Sequence, residues 1–138
     1  MTNQKSIQNW ISNWLSSQRL STDFSIQLLL GDGSNRSFYR VVVNEKTYIL
    51  VSDPNWVQTQ DYPAHQLFLE GLGLPVPQFL AVDSKNGFLL MQDLGDDLLQ
   101  LRIQTAPEKK LTWLDTATRL LADLHGKSFP VPSNLPVA

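Results

Sequence analysis

The sequence has no cysteine, and so no disulfide framework, no thiolate metal site and no thiol nucleophile. It has two histidines. His65 stands alone on a predicted helix and His125 closes another, so neither a metal cluster nor a Ser-His-Asp arrangement assembles from them. Charge is scarce in both signs, with 11 Lys and Arg against 13 Asp and Glu and a formal net charge of -2. No polybasic stretch exists to neutralise a phosphate backbone or settle on an anionic bilayer, which removes nucleic acid and membrane from the expected partners. No apolar run approaches the length of a membrane span. The polar start Met1-Thr2-Asn3-Gln4-Lys5 passes into an amphipathic pattern instead of the continuous apolar stretch of a signal peptide. The expectation from these absences is an unexported, cytoplasmic protein.

What is present suffices for one compact core, since 42% of 138 residues are apolar. Ile7, Trp10, Ile11, Trp14 and Leu15 fall on one helical face, with Arg19, Ser21 and Asp23 marking the exit. Phe24-Ser25-Ile26-Gln27-Leu28-Leu29-Leu30, Val41-Val42-Val43 and Thr47-Tyr48-Ile49-Leu50-Val51 read as three antiparallel strands, the last two joined by the tight connection Asn44-Glu45-Lys46. Ser52-Asp53-Pro54-Asn55 breaks the third strand. Asp61-Tyr62-Pro63 opens a helix presenting Ala64, Leu67, Phe68 and Leu72, which Gly71 and Gly73 end. Pro75-Val76-Pro77 forces an extended approach to a fourth strand, Gln78 to Val82. Asn86-Gly87 is a hairpin signal leading into Phe88-Leu89-Leu90-Met91, a run apolar enough for a strand buried on both sides. Beyond Gln92 the pattern turns helical. Leu98, Leu99 and Leu101 are expected to face inward from a short helix. Pro107 opens a longer one carrying Leu111, Leu114, Ala117, Leu121 and Leu124, which Gly126 stops. The tail from Ser128 to Ala138, with Pro130, Pro132 and Pro136, reads as extended and mobile.

The most informative local feature is Gly31-Asp32-Gly33-Ser34-Asn35-Arg36-Ser37-Phe38-Tyr39-Arg40, a glycine-rich turn between two strands. No helix follows it, which argues against a P-loop or dinucleotide fold, where a helix N-terminus holds the phosphate. A glycine-rich loop between antiparallel strands is how kinases lay backbone N–H groups over nucleotide phosphates. Asp32-Gly33 is also an ordinary hairpin turn, and the local pattern leaves both readings open. In the first, the Gly33 to Asn35 backbone and the Ser34 hydroxyl donate to phosphate oxygens as an anion nest. Arg36 and Arg40 then supply the cation. The competing reading has Asn35 holding the turn and the arginines solvated on the surface.

The element order is helix, three strands, helix, two strands, linker, helices. It resembles the N-terminal lobe of the aminoglycoside phosphotransferase family of kinase-like enzymes. Gly31 to Arg40 is similar to the family's glycine-rich loop and following strand, and Gly73-Leu74-Pro75-Val76-Pro77 to its connection from helix to fourth strand. Gly87 to Asp96 resembles the fifth strand and adenine-binding hinge, and Leu120-Leu121-Ala122-Asp123-Leu124-His125 the first long helix of the C-terminal lobe. Within the family the likeness is greatest to bacterial kinases of the anomeric hydroxyl of N-acetylmuramate or N-acetylglucosamine, through Gly31-Asp32, the arginine and aromatic pattern after it, and Ser52-Asp53-Pro54.

The resemblance implies an α+β fold: a protein-kinase-like N-terminal lobe with a five-stranded antiparallel sheet and flanking helices over residues 1–92. A hinge then spans 93–97, and the first helices of an incomplete C-terminal lobe span 98–138. It implies ATP as cofactor, held by Gly31, Gly33, Ser34, Asn35, Arg36 and Arg40 at the phosphates. Hinge backbone near Gln92 and Leu94 meets the adenine, and Met91, Leu50 and Val51 wall it. Core packing is the competing reading for each of those three. A strand-three lysine paired with a helix glutamate is common in such enzymes, yet Tyr48 to Ser52 contains none. Lys46 precedes the strand, and neither Asp61 nor Glu70 is well placed as its partner. The family's His-Gly-Asp-x-His-x-x-Asn loop and its later metal-binding aspartate do not occur, so no catalytic residue and no ligand for Mg²⁺ is assigned. Asp123-Leu124-His125-Gly126 reverses the order and sits at a helix end, while Asp93, Asp96 and Asp97 read as caps or solvated charge.

Two functions follow as expectations. One is the nucleotide-binding lobe of an ATP-dependent small-molecule phosphotransferase whose chain stops early, inactive alone and able to take a sugar or aminoglycoside-like acceptor only with a complete C-terminal lobe. The other is a non-catalytic α+β module or degenerate kinase lobe that binds a protein partner, or itself, through the apolar surface the missing lobe would cover.

Overall fold

A computed structural model describes residues 2–29, 35–56 and 62–127. The expected strand end at Leu30, the loop residues Gly31 to Ser34, Asp61 and the tail from Ser128 lie outside them. Two compact units emerge, residues 1–60 with 77–93, and residues 61–76 with 94–138.

The first unit begins with helix α1 (Thr2–Ser17). Its stripe of Ile7, Ile11 and Leu15 is buried, because a 3.6-residue period brings these positions to one side of the helix. Arg19 ends it in a left-handed conformation (φ 57), with Leu20 N donating back to Leu15 O at 2.9 Å, the closure of a helix C-terminus made here without glycine.

Five strands follow: β1 (Ser25–Leu28), β2 (Ser37–Val43), β3 (Lys46–Ser52), β4 (Phe79–Asp83) and β5 (Phe88–Gln92). All neighbours pair antiparallel in the order β1-β2-β3-β5-β4. The protein is thus α+β, with a five-stranded antiparallel sheet and flanking helices, in agreement with the expectation from sequence. Two boundaries differ. β2 starts at Ser37, so Phe38, Tyr39 and Arg40 belong to a strand and not to the glycine-rich turn; two aromatics in alternation fit a pleated surface and extend the pairing to Ser37–Ser52. Lys46 is the first residue of β3.

Alternation along the strands creates two faces. On one, Val41, Val43, Leu50, Phe88 and Leu90 pack with the buried stripe of α1. Trp10 meets Phe88 with ring centroids 5.6 Å apart, and Trp14 meets Tyr48 edge-on at 5.3 Å. On the other, Ile49, Val51, Leu89 and Trp56 form a second cluster, flanked by Leu29, Phe38, Phe79 and Met91.

The second unit contains α2 (Tyr62–Gly71), α3 (Leu99–Thr105), a 3₁₀ turn at Pro107–Lys109 and α4 (Lys110–Gly126). Helix α2 ends on Gly73 (φ 74), with Leu74 N donating to Leu69 O, and Lys127 Nζ donates to Leu72 O. Pro107 opens the 3₁₀ turn that runs into α4. Leu98, Leu99 and Leu101 do not face inward: they are exposed, as are Leu111, Leu114, Leu120 and Leu121. No residue of α3 or α4 is buried. Their apolar periodicity is that of helices made to be covered, without the cover. No described helix is long and apolar enough to cross a membrane.

Candidate functional site

The sheet face turned away from α1 gathers most of the polar residues of interest. Arg40 pairs in register with Ile49, and Ile49 with Met91, so the three share that face with Phe38, Val51 and Leu89. Asp93 follows β5 by one residue. Its carboxylate accepts two hydrogen bonds from Arg40, Nε to Oδ2 at 2.7 Å and Nη2 to Oδ1 at 3.3 Å. Because β3 lies between β2 and β5, this pair bridges across the central strand. The Asp93 side chain is 4% exposed and that of Arg40 16%. Asp93 is therefore no solvated charge. A carboxylate so desolvated needs a fixed guanidinium to remain ionised, and β2 supplies it.

A second pair closes the opposite end of the face. Arg36, at the exit of the glycine-rich turn, donates from Nε to Asp53 Oδ2 at 3.0 Å, with the arginine side chain 33% exposed and the aspartate 4%. Asp53 also accepts from Asn55 N through Oδ1 at 2.8 Å, and its own N–H donates to Gly87 O at 2.8 Å. One residue thus ties together the turn before β2, the turn after β3 and the β4–β5 hairpin. In the sequence Asp53 reads as a strand breaker and as part of the Ser52-Asp53-Pro54 likeness, with no sign of this pairing. Beside it Trp56 is buried, with its backbone N–H donating to Asp53 O at 3.3 Å, and its indole Nε1 has no hydrogen-bond partner among the described residues.

The sequence-derived site residues do not gather at one place. Gly31, Gly33 and Ser34 lie outside the described residues. Asn35 is exposed and Arg36 follows it into the Asp53 pair. Leu50 is fully buried, 0% exposed, on the α1 face, whereas Met91 and Val51 lie on the opposite one. Leu50 and Met91 consequently do not share a face; Ile49, which carries no distinguishing signal in the sequence, lies beside Met91. At the linker, Gln92 N–H donates to Gln78 O at 2.9 Å and its Oε1 accepts from Gln78 N at 3.3 Å. Leu94 is 66% exposed, and among the described residues its backbone makes no hydrogen bond.

The remaining acidic and histidine positions are peripheral. Asp97 pairs with Arg102, whose donated hydrogen bond holds the Asp97 carboxyl below its ordinary value. Both side chains are exposed. Neither Asp96 nor Asp97 caps α3, whose N-cap is Leu98 without a side-chain bond. Glu70 accepts from Gln66 at 3.0 Å. His65 and His125 are exposed, and among the described residues no group of three or more His, Cys, Asp or Glu is placed to hold a metal.

No family model matches the sequence, and no curated protein matches it.

Proposed function

We propose that this chain is the nucleotide-binding lobe of an ATP-dependent small-molecule phosphotransferase of the aminoglycoside phosphotransferase type, akin to the anomeric amino-sugar kinases. The observation that supports this most is an alignment of parts on one face of the sheet. The glycine-rich connection joins antiparallel β1 and β2, and the chain leaves β5 at the opposite end of that face. From Ile49 and Met91 to the Arg36–Asp53 pair is four residues of strand, about 14 Å at the rise of an antiparallel strand. That is a span suited to an extended nucleotide, with its base on Ile49, Val51 and Met91 and its phosphates at the Arg36–Asp53 end.

In this reading each part contributes binding and orientation. The aliphatic floor excludes water from the faces of the base, and the 33 to 35 backbone donates to phosphate oxygens. The resemblance assigns the hydrogen bonds to the base edge to hinge backbone near Gln92 and Leu94. Mg²⁺ would supply charge neutralisation between the phosphates, and nothing in this sequence is assigned to hold it. A carboxylate to orient the acceptor hydroxyl belongs to the His-Gly-Asp loop, which this sequence does not contain.

Two outcomes test the proposal. Titration of the ¹⁵N-labelled chain with Mg-ATP is expected to shift amides within 31–40 and 91–95 and to leave α1 unmoved; no shifts at millimolar nucleotide would remove the nucleotide-binding reading. The same protein is expected to transfer no phosphate to N-acetylmuramate or N-acetylglucosamine, and robust ATP-dependent sugar phosphorylation would sink that expectation. The exposed leucines of α3 and α4 favour a second reading, a non-catalytic module that binds a protein partner. An absence of nucleotide shifts would leave that one standing.

A further inference from the structure

Resting on the nucleotide-binding reading, we infer that Arg36, Asp53 and Trp56 form a polyphosphate-binding corner in which Arg36 is the cation that meets the phosphate chain, and that Arg40 is not.

A polyphosphate carries more negative charge than backbone amides neutralise, so a cation is required beside it. The described cations of the first unit's sheet region are Arg36, Arg40, Lys46 and Lys85. Arg40 reaches across β3 to Asp93 with two hydrogen bonds, at the linker end. Four residues of strand separate it from Arg36, about 14 Å, so it lies at the base end of the face. Lys46 begins β3 at that same far end. Lys85 is exposed in the loop between β4 and β5, on the edge of the sheet away from the β1–β2 hairpin. Arg36 alone directly follows the glycine-rich turn.

Its environment is built for positioning. Asp53 is held on three sides, by Asn55 N, by its N–H to Gly87 O and by Arg36 Nε. It fixes a guanidinium that nevertheless stays one-third exposed. A planar fork anchored at Nε by a buried carboxylate presents a set direction to a phosphate, which a lysine's rotating ammonium does not. Trp56 supplies an independent sign of a missing acceptor. Its Nε1 is buried with no hydrogen-bond partner among the described residues, while its backbone and Cβ sit against Asp53 and Gly87. A buried donor left unmatched is costly. A phosphate oxygen is the chemistry that both a guanidinium and an indole N–H recognise.

The test measures binding of Mg-ATP, inorganic tripolyphosphate and adenosine by the full chain, wild type against Arg36→Met, Arg36→Lys, Trp56→Phe and Lys85→Met, each checked for an unchanged amide spectrum. Arg36→Met is expected to weaken ATP and tripolyphosphate by about tenfold or more and to leave adenosine unchanged. Arg36→Lys keeps the charge and the fold while losing the fork, and is expected to fall between. Trp56→Phe is expected to weaken both polyphosphates while raising the melting temperature of the free protein, since it deletes an unmatched buried donor. Lys85→Met, the same loss of charge, is expected to change neither ligand more than about twofold. ATP binding unaltered by Arg36→Met and Arg36→Lys would overturn this corner and leave the nucleotide-binding reading intact. Equal losses for adenosine and ATP would overturn it as well, by showing a general disturbance of the lobe. A wild type that binds none of the three overturns both.

Discussion

Replacing Asp93 by alanine is expected to lower the stability of the protein by about 3–5 kcal/mol, read as a shift of the urea midpoint at constant slope. The substitution leaves the Arg40 guanidinium, 16% exposed, on an apolar face beside Ile49 and Met91 without the carboxylate that accepts its two hydrogen bonds. Arg40→Met creates the mirror problem, a carboxylate 4% exposed with its cation removed, and should cost a similar amount. The cost belongs to the broken pair and not to the pair's absence. Arg40→Met combined with Asp93→Leu is therefore expected to recover most of the loss, because two apolar groups need no compensation for lost hydration. A domain of this size has about 5–15 kcal/mol to lose, so either single substitution brings it close to unfolding at ordinary temperatures. Asp97 and Arg102 offer the contrast: the same residue types are paired, but in solvent. Asp97→Ala is expected to leave the midpoint in place, since an exposed pair is screened by water and salt. A midpoint unchanged in Asp93→Ala would show that the bridge over β3 is not formed in solution.

That bridge also marks where sequence reasoning reaches its end. The strands are legible because Ile49-Leu50-Val51 and Phe88-Leu89-Leu90 are β-forming runs between turn residues, and α1 because Ile7, Ile11 and Leu15 recur at helical spacing. The two hairpins follow from short connections. Which strand joins them does not, because β3 and β5 pair across a long excursion through α2. Register settles parity: it sends Leu50 to the α1 side and Ile49 to the other. Nothing local distinguishes those neighbours, both aliphatic and both buried. Arg40 and Asp93 are 53 positions apart in sequence, so their pairing is a tertiary fact, and taken alone Arg40 reads as a phosphate cation or a solvated charge and Asp93 as a cap or a solvated charge. The Arg36–Asp53 pairing, 17 positions apart in sequence, is hidden from local pattern for the same reason. Periodicity makes the uncovered leucines of α3 and α4 look inward-facing, because it reports what a helix face suits and not whether a partner is present.

Gly87→Ala is expected to be the most damaging single change at a position without charge, costing about 3 kcal/mol or more through two separate mechanisms. The β4–β5 connection is a four-residue loop, Ser84 to Gly87, between paired Asp83 and Phe88. Asp83 organises it, accepting from Lys85 N and Asn86 N at 3.1 Å and from Asn86 Nδ2 at 2.7 Å. Gly87 then turns the chain into β5 at φ 67, a left-handed conformation that costs a side-chain-bearing residue roughly 1–2 kcal/mol. Space is the larger obstacle. A Cβ there would stand 2.1 Å from Asp53 O and 3.2 Å from Trp56 Cβ, so backbone must move. The backbone that moves is the segment that places Asp53 under Arg36. Gly95→Ala separates the two causes, because Gly95 has φ 79 and nothing within 4 Å of the place a methyl group would occupy; it is expected to cost only the dihedral strain, about 1 kcal/mol. If the two alanine variants unfold at the same urea concentration, the close approach of the hairpin to Asp53 is not real. If Gly87→Ala is the weaker by a wide margin, the β4–β5 hairpin is fixed against Asp53 by a contact that only glycine permits. On the reading proposed for Arg36, the same variant is expected to lose tripolyphosphate binding in any fraction that still folds, because the anchor that aims the guanidinium moves.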